Sequence, residues 1–379
     1  MNYINLIDVC KINMGQSPDS KSYNDNCDGV PFFQGNADFG ERYPVTRVWC
    51  NAPTKIANPN DILISVRAPI GALNFARERC CIGRGLAAIT PDTRKVSVEF
   101  IYWLLKGKTA ELNSKGTGST FKAISRKVLE ETKVPDISLQ QQLKYAAVLE
   151  KLYTLITHRK QQLLKLDELV KARFVEMFGD PDLNPMGWEE SHLSEKLDVL
   201  GGYAFKSDEF DEEAGIPVLR IGNINAGFFR PVNMVYWRED ENLEKYAMYP
   251  GDLVMSLTGT VGKDDYGNVC ILGNDYDKYY LNQRNAKLEI KEGLDKLYLS
   301  EILKFNTIKK RLTGISRGVR QANIANRDIL NLYIPIPPLD LQEQFAAFVA
   351  QTDKSKVAVQ KALDEAQLLF DSLMQEYFG

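Results

Sequence analysis

The sequence predicts an α+β protein. It should comprise two globular mixed α/β domains separated by two long antiparallel helices that form a coiled coil, the whole an internal pseudo-two-fold repeat. Three observations carry this. Residues 138–179 contain no proline, and no glycine before Gly179. Within them Leu149, Leu152, Ile156, Arg159, Leu163, Leu166, Val170, Arg173 and Met177 alternate steps of three and four, the spacing of an a/d seam. Residues 340–379 form a second such run, with Leu341, Phe345, Phe348, Thr352, Ser355, Val359, Ala362, Ala366, Leu369, Leu373 and Glu376 in the same alternation. The third observation is that the chain repeats once, at an offset close to 200 residues.

The first 137 residues are dense in strand and turn signals. Phe32-Phe33, residues 61–66 and residues 86–89 read as short strands, separated by Gly, Pro, Asn and Asp clusters. Residues 98–106 read as a helix, and residues 113–127 as a Gly/Ser/Thr/Lys loop. Ser138 then supplies an N-cap and Gly179 a stop for the first long helix, a rod of roughly 60 Å. Polar residues in both seams make each rod unsuited to standing alone, so pairing with the other is expected. Residues 180–189, with two prolines and several Asp and Asn, have linker composition.

The second half echoes the first. Gly29-Val30-Pro31-Phe32-Phe33 returns as Gly215-Ile216-Pro217-Val218-Leu219, and Pro59-Asn60-Asp61-Ile62-Leu63 as Pro250-Gly251-Asp252-Leu253-Val254. Arg84 matches Arg284, and Ile124 matches Ile324. Leu139-Gln140-Gln141-Gln142-Leu143 matches Leu341-Gln342-Glu343-Gln344-Phe345. Equal frames with different loops suggest two modules performing one task on different targets.

Composition narrows the task. Charged residues are 26% and hydrophobic ones 44%, as in an ordinary soluble domain. A formal net charge of −3 argues against gripping nucleic acid by bulk charge alone. No apolar run approaches the ~20 residues that span a bilayer, and the first residues lack a signal peptide's apolar core, so no membrane association is expected. The six cysteines show no CxxC spacing. We therefore expect no metal, no disulfide framework and a reducing, cytoplasmic setting. Catalytic constellations are missing as well. The two histidines, His158 and His192, assemble no triad, and there is no P-loop or GxGxxG. Glu289-Ile290-Lys291 reads as a solvated strand end, and Pro335-Ile336-Pro337-Pro338-Leu339 lacks the acid or amide that would precede a methyltransferase's prolines. No catalytic site is expected.

Recognition chemistry is present. Residues 113–127 hold Lys115, Lys122, Arg126 and Lys127 and no acid; residues 311–327 hold Arg311, Arg317, Arg320 and Arg327 and no acid. Thr117, Ser119 and Gln321 lie among them, offering hydroxyls for phosphates and an amide for base edges. Near strand ends stand Gln34, Asn36, Arg67 and Arg84 in the first half, and Arg220, Asn223, Arg230, Arg238 and Arg284 in the second. Arg suits guanine, and Asn or Gln suits adenine. The competing reading is of solvated loops and surface ion pairs. Tyr236-Trp237 is read as core packing, and Asp61 and Asp252 as turn caps.

Taken in order, these motifs resemble the DNA-specificity subunit of Type I restriction-modification systems. The marks are Gly202-Tyr203-Ala204-Phe205-Lys206-Ser207, Pro250-Gly251-Asp252-Leu253-Val254, Asn323-Ile324 with Asp328-Ile329, and Ile334-Pro335-Ile336-Pro337-Pro338-Leu339 with Gln342-Glu343-Gln344. To these add Phe174-Val175-Glu176-Met177-Phe178-Gly179 and Asn184-Pro185-Met186-Gly187-Trp188-Glu189. The first copy departs from the pattern at Val134-Pro135-Asp136-Ile137-Ser138, which lacks the Pro-Pro pair. The resemblance implies a target-recognition domain at 1–137, a conserved helix at 138–179, a linker at 180–189, a second recognition domain at 190–339 and a second conserved helix at 340–379. It implies a non-catalytic subunit bound to double-stranded DNA and to two methyltransferase subunits, with restriction/translocase subunits where cleavage is added. S-adenosylmethionine would come with the methyltransferase, and ATP with Mg with the nuclease; none is a cofactor of this chain. Three other readings stay open: a subunit of a related Type II bipartite restriction-methylation enzyme, a coiled-coil adaptor whose globules bind proteins, and an enzyme with an unrecognised site.

Overall fold

The computed structural model describes residues 2–118, 122–224, 227–263, 265–314 and 321–379, apart from the side chain of Gln321. The chain forms two units, Met1–Gln161 with Gln360–Gly379, and Gln162–Val359. Each unit combines one globule with a stretch of both long helices.

In the first unit an antiparallel four-stranded sheet has the order Cys10–Met14, Leu86–Pro91, Ile62–Ser65, Leu73–Phe75. Ile62, Leu63, Ile64, Leu86, Ala87, Ala88 and Ile89 are all fully buried. The continuous apolar runs read from sequence are thus strands covered on both faces. A second, mixed sheet places Val30–Phe33 parallel to Cys80–Ile82. Its turns explain the repeated motifs. In Pro59-Asn60-Asp61 and Pro250-Gly251-Asp252 the middle residue takes φ of +70° and +87°, a conformation suited to Asn or Gly. Each aspartate accepts a hydrogen bond from the backbone N–H three residues earlier, at 2.7 Å from Asn58 and 2.9 Å from Tyr249.

The second unit repeats the plan. Its antiparallel sheet has the order Leu197–Gly201, Asn285–Ile290, Leu253–Ser256, Val269–Ile271. Its mixed sheet places Ile216–Leu219 parallel to Tyr279–Leu281. Trp237 is buried against Phe205 and Phe210, as core packing requires. Glu289 is exposed beside Lys287 at its strand's end.

The long helices span Leu139–Phe178 and Leu339–Phe378, so each position in one matches the position 200 later in the other, and the match of residues 139–143 with 341–345 read from sequence is two residues out of step. Each is rooted in a globule by one buried glutamine. Gln142 Oε1 accepts from the Ser97 N–H at 2.9 Å while its Nε2 donates to the Ile137 carbonyl at 3.0 Å. Gln342 Oε1 accepts from the Asp295 N–H at 2.8 Å while its Nε2 donates to the Pro337 carbonyl at 2.7 Å. Within each unit the two helical segments run antiparallel. In the first, the Tyr145 and Tyr377 rings stack with centroids 3.6 Å apart. In the second, Phe174 meets Phe345 edge-on at 5.4 Å and Lys356 pairs with Asp167 at 2.8 Å.

The first helix buries or half-buries Leu149, Leu152, Ile156, Leu163, Leu166 and Val170. In the second, Val359, Ala362, Ala366 and Leu373 are buried or half-buried, but the phase drawn from sequence needs correction. Leu369 is 50% exposed, and Ser355 and Glu376 are exposed too. The buried stripe instead includes Val349, Leu363, Phe370 and Tyr377, each the counterpart of a first-helix seam residue. The step from Phe345 is four residues, not three. Lys356 hid it, since a charged residue at a seam position reads as surface until its partner Asp167 is seen.

Candidate nucleic-acid interface

In the first globule a ladder of backbone hydrogen bonds crosses from one loop to the next. The Gly85 N–H donates to the Gln34 carbonyl at 3.1 Å, and the Val66 N–H to the Gly85 carbonyl at 2.9 Å. The Ile124 N–H donates to the Val66 carbonyl at 2.9 Å, and the Ala68 N–H to the Lys122 carbonyl at 3.1 Å. Ala123 and Thr117 then exchange both of their bonds, at 2.9 and 3.0 Å. Gln34, Arg84, Arg67, Lys122 and Thr117, scattered in sequence, therefore lie along one ladder, and all five side chains are exposed. Among the described residues, Arg67, Arg84 and Lys122 have no carboxylate partner. Ser17 Oγ sits 3.0 Å from Gln34 Nε2 and accepts from the Arg84 N–H at 3.3 Å, which ties the two ends together. Asn36 opens the short 3-10 turn that follows Gln34.

The second globule repeats the following rungs, while the Arg284 N–H, in the place of Gly85's, donates to the Asn282 side chain at 3.3 Å. The Leu257 N–H donates to the Arg284 carbonyl at 2.8 Å and the Ile324 N–H to the Leu257 carbonyl at 2.9 Å. Thr258–Thr260 then pairs with Gln321–Asn323. Both ladders depend on a glycine where two segments nearly touch. A Cβ on Gly15 would lie 2.1 Å from the Gly83 carbonyl oxygen, and one on Gly202 would lie 2.2 Å from that of Asn282. Arg220, Arg230 and Arg284 are exposed on this globule. Arg220 donates to the Asn233 carbonyl at 2.9 Å, and the Arg230 guanidinium lies 5.2 Å from the Phe228 ring centroid.

Several expectations are corrected. Asn223 is 2% exposed, and its amide is consumed by the Arg220 N–H and by the Arg230 and Val232 carbonyls. It shapes the loop and has nothing left for a base. Lys115 is not a free cation, because Glu111 pairs with it at 2.6 Å from the preceding helical turn. The Lys115 hydrogen bond in turn holds the Glu111 carboxyl below its usual range, against the opposing effect of burial. Arg126 and Lys127 are likewise paired, with Glu130 and Glu131. Finally, the residue equivalent to Arg284 is Gly85, not Arg84, because Gly85 and Arg284 supply the same carbonyl of the ladder. Arg317, Arg320 and Ser119 lie outside the described residues, as does the Gln321 side chain. Sequence reasoning missed Ser17 and Gln283; the signal available was their place in the repeat. Among the described residues no group of His, Cys, Asp and Glu could hold a metal ion, and no helix is long and apolar enough to cross a membrane.

Comparison with known proteins accounts for the doubled plan. The family profile of the Type I restriction modification DNA specificity domain matches residues 1–166 and 185–366. The Methanocaldococcus jannaschii protein assigned as the MjaX specificity subunit is 42% identical over 161 residues, a match spanning 42% of this chain and 38% of that protein. The MjaVIII specificity subunit of the same organism is 26% identical over 81% of this chain and 77% of its own length. In structure, the S subunit of the Type I system from M. genitalium superposes over 100% of this chain and 96% of its own, with a TM-score of 0.66 at 15% identity, a likeness of fold. With the family profile covering both halves, this chain belongs to the Type I restriction-modification DNA-specificity family.

Proposed function

We propose that this protein is the sequence-specific DNA-binding subunit of a Type I restriction-modification complex. Each globule reads one half of a bipartite duplex target. The two long helices set the gap between the halves and dock two methyltransferase subunits; where the complex also cleaves, restriction/translocase subunits join it. The chain itself is non-catalytic. The methyltransferase brings S-adenosylmethionine, and the restriction subunit brings ATP with Mg. The observation that carries this reading is the duplicated ladder: two globules of one plan present exposed Arg, Lys and Gln side chains from rigid, backbone-bonded loops. Backbone bonding fixes the register of these side chains, so binding need not order the loops that carry them and only side-chain rotamers are left to fix. A net charge of −3 fits a subunit whose partners supply much of the phosphate grip.

The test is methylation mapping of genomic DNA from cells that express the full chain with its methyltransferase. The expected result is a two-part motif with a fixed non-specific gap. A contiguous motif, or methylation unchanged by omitting this chain, overturns the reading.

A further inference from the structure

Backbone pairing lets the two ladders be matched residue by residue, without reference to side chains. Leu86 pairs with Ser65 as Asn285 pairs with Ser256. Phe33 pairs with Ile82 as Leu219 pairs with Leu281. Two residues before Leu86 stands Arg84, and two before Asn285 stands Gln283; directly after Phe33 comes Gln34, and directly after Leu219 comes Arg220. The first globule therefore carries an amide at the strand end and a guanidinium at the turn. The second carries a guanidinium at the strand end and an amide at the turn. The same chemical pair is present in both, with its places exchanged.

All four side chains are exposed, and among the described residues neither Arg84 nor Arg220 has a carboxylate partner. Their backbones are fixed. Ser17 Oγ accepts from the Arg84 N–H at 3.3 Å, and the Gln283 N–H donates to the Tyr203 carbonyl at 2.8 Å. The Arg220 N–H donates to the Asn223 side chain at 2.9 Å, and the Gln34 N–H to Asp38 at 2.7 Å. A grip on phosphate alone would call for cations at both places; an amide adds no net charge. Gln, however, is the side chain that matches adenine with two hydrogen bonds, as Arg matches guanine.

We propose that Gln34 with Arg84, and Arg220 with Gln283, are the specificity-determining pair of each globule. This rests on the DNA-reading function proposed above. In each half-site the arginine reads one base and the glutamine a neighbouring one. Because the residues trade places, the order of the two reads is reversed when each is taken in the frame of its own globule.

The experiment uses the full chain co-expressed with its methyltransferase and maps methylated motifs on genomic DNA. Arg84→Gln should change the preference at one position in one half-site by about ten- to a hundredfold, leaving the other half-site intact. Gln283→Arg should do the same in the other half-site only. Arg84→Lys keeps the charge and loses the planar fork, so it should relax the same position as Arg84→Gln. An unchanged motif overturns the assignment, as does a loss spread evenly over all sequences, which would mark a phosphate contact. If the unmutated complex yields a bipartite motif and the variants do not alter it, only this assignment falls. If the unmutated complex yields none, the underlying reading falls and takes the assignment with it.

Discussion

Gln342→Leu should unfasten the second globule from its helix. Gln342 is fully buried, and its amide satisfies the Asp295 N–H at 2.8 Å and the Pro337 carbonyl at 2.7 Å. Leucine keeps the volume, so the cavity term is small. What remains is one buried donor and one buried acceptor without partners, each costing about 1–3 kcal/mol, so the total is roughly 2–6 kcal/mol. For a unit of this size that corresponds to a fall of about 4–24 °C in its unfolding temperature. Thermal unfolding measures the total, and hydrogen exchange at the Asp295 amide measures the local opening. Gln342→Glu sharpens the test. A protonated carboxyl can still accept from Asp295 and donate to Pro337, while an ionised one is buried against a carbonyl oxygen. Its folded pKa should therefore rise above the ordinary value of about 4.3. Stability should then be greatest below that value and be lost as pH rises toward the folded pKa. If Gln342→Leu unfolds within about 0.5 kcal/mol of the parent with unchanged exchange at Asp295, the fastening role is wrong.

The remaining expectations concern spacing, recognition and thiols. Inserting four residues after Gln162, about 6 Å of helix, should lengthen the non-specific gap and leave both half-site sequences intact; methylation mapping that shows altered half-site bases with an unaltered gap would reverse that division of labour. Arg317→Ala and Arg320→Ala should weaken binding through one half-site only, by roughly 1–3 kcal/mol if either contacts a base; titration against DNA with each half scrambled in turn decides it, and equal losses at both halves refute it. Of the six cysteines only Cys27 is exposed, and burial pushes the Cys10, Cys80 and Cys270 thiols up to about 12. A colorimetric thiol reagent at pH 8 should therefore titrate one thiol quickly in the native protein and all six after denaturation; two fast native thiols would contradict the packing.

The helices and the repeat were legible because both rest on periodicity that survives in a single sequence. Val349 and Phe370 were not placed in the seam, although Leu149 and Val170 were, 200 positions earlier. Propagating the first seam through the repeat would have found them. Asn223 and Lys115 misled for one reason: whether an amide or ammonium is free depends on neighbours that the chain supplies from elsewhere, here the Arg230 and Val232 carbonyls and Glu111. Arg84 and Arg284 share a residue type but not a place in the fold. The ladder's carbonyls, which no side-chain pattern reveals, set the true equivalence at Gly85 and Arg284.

The ladders hold their shape through main-chain groups and the side chains of Ser17, Asp38 and Asn223, while the side chains of Gln34, Arg84, Arg220 and Gln283 are exposed. Replacing an exposed side chain of this kind usually shifts stability by no more than about 0.5 kcal/mol. Mutation can therefore wander through many residue types at these four places without the chain falling out of the folded population. On the proposed reading, in which these side chains set the target, single substitutions here can change what is read while each intermediate stays folded, because folding imposes almost no veto at these positions.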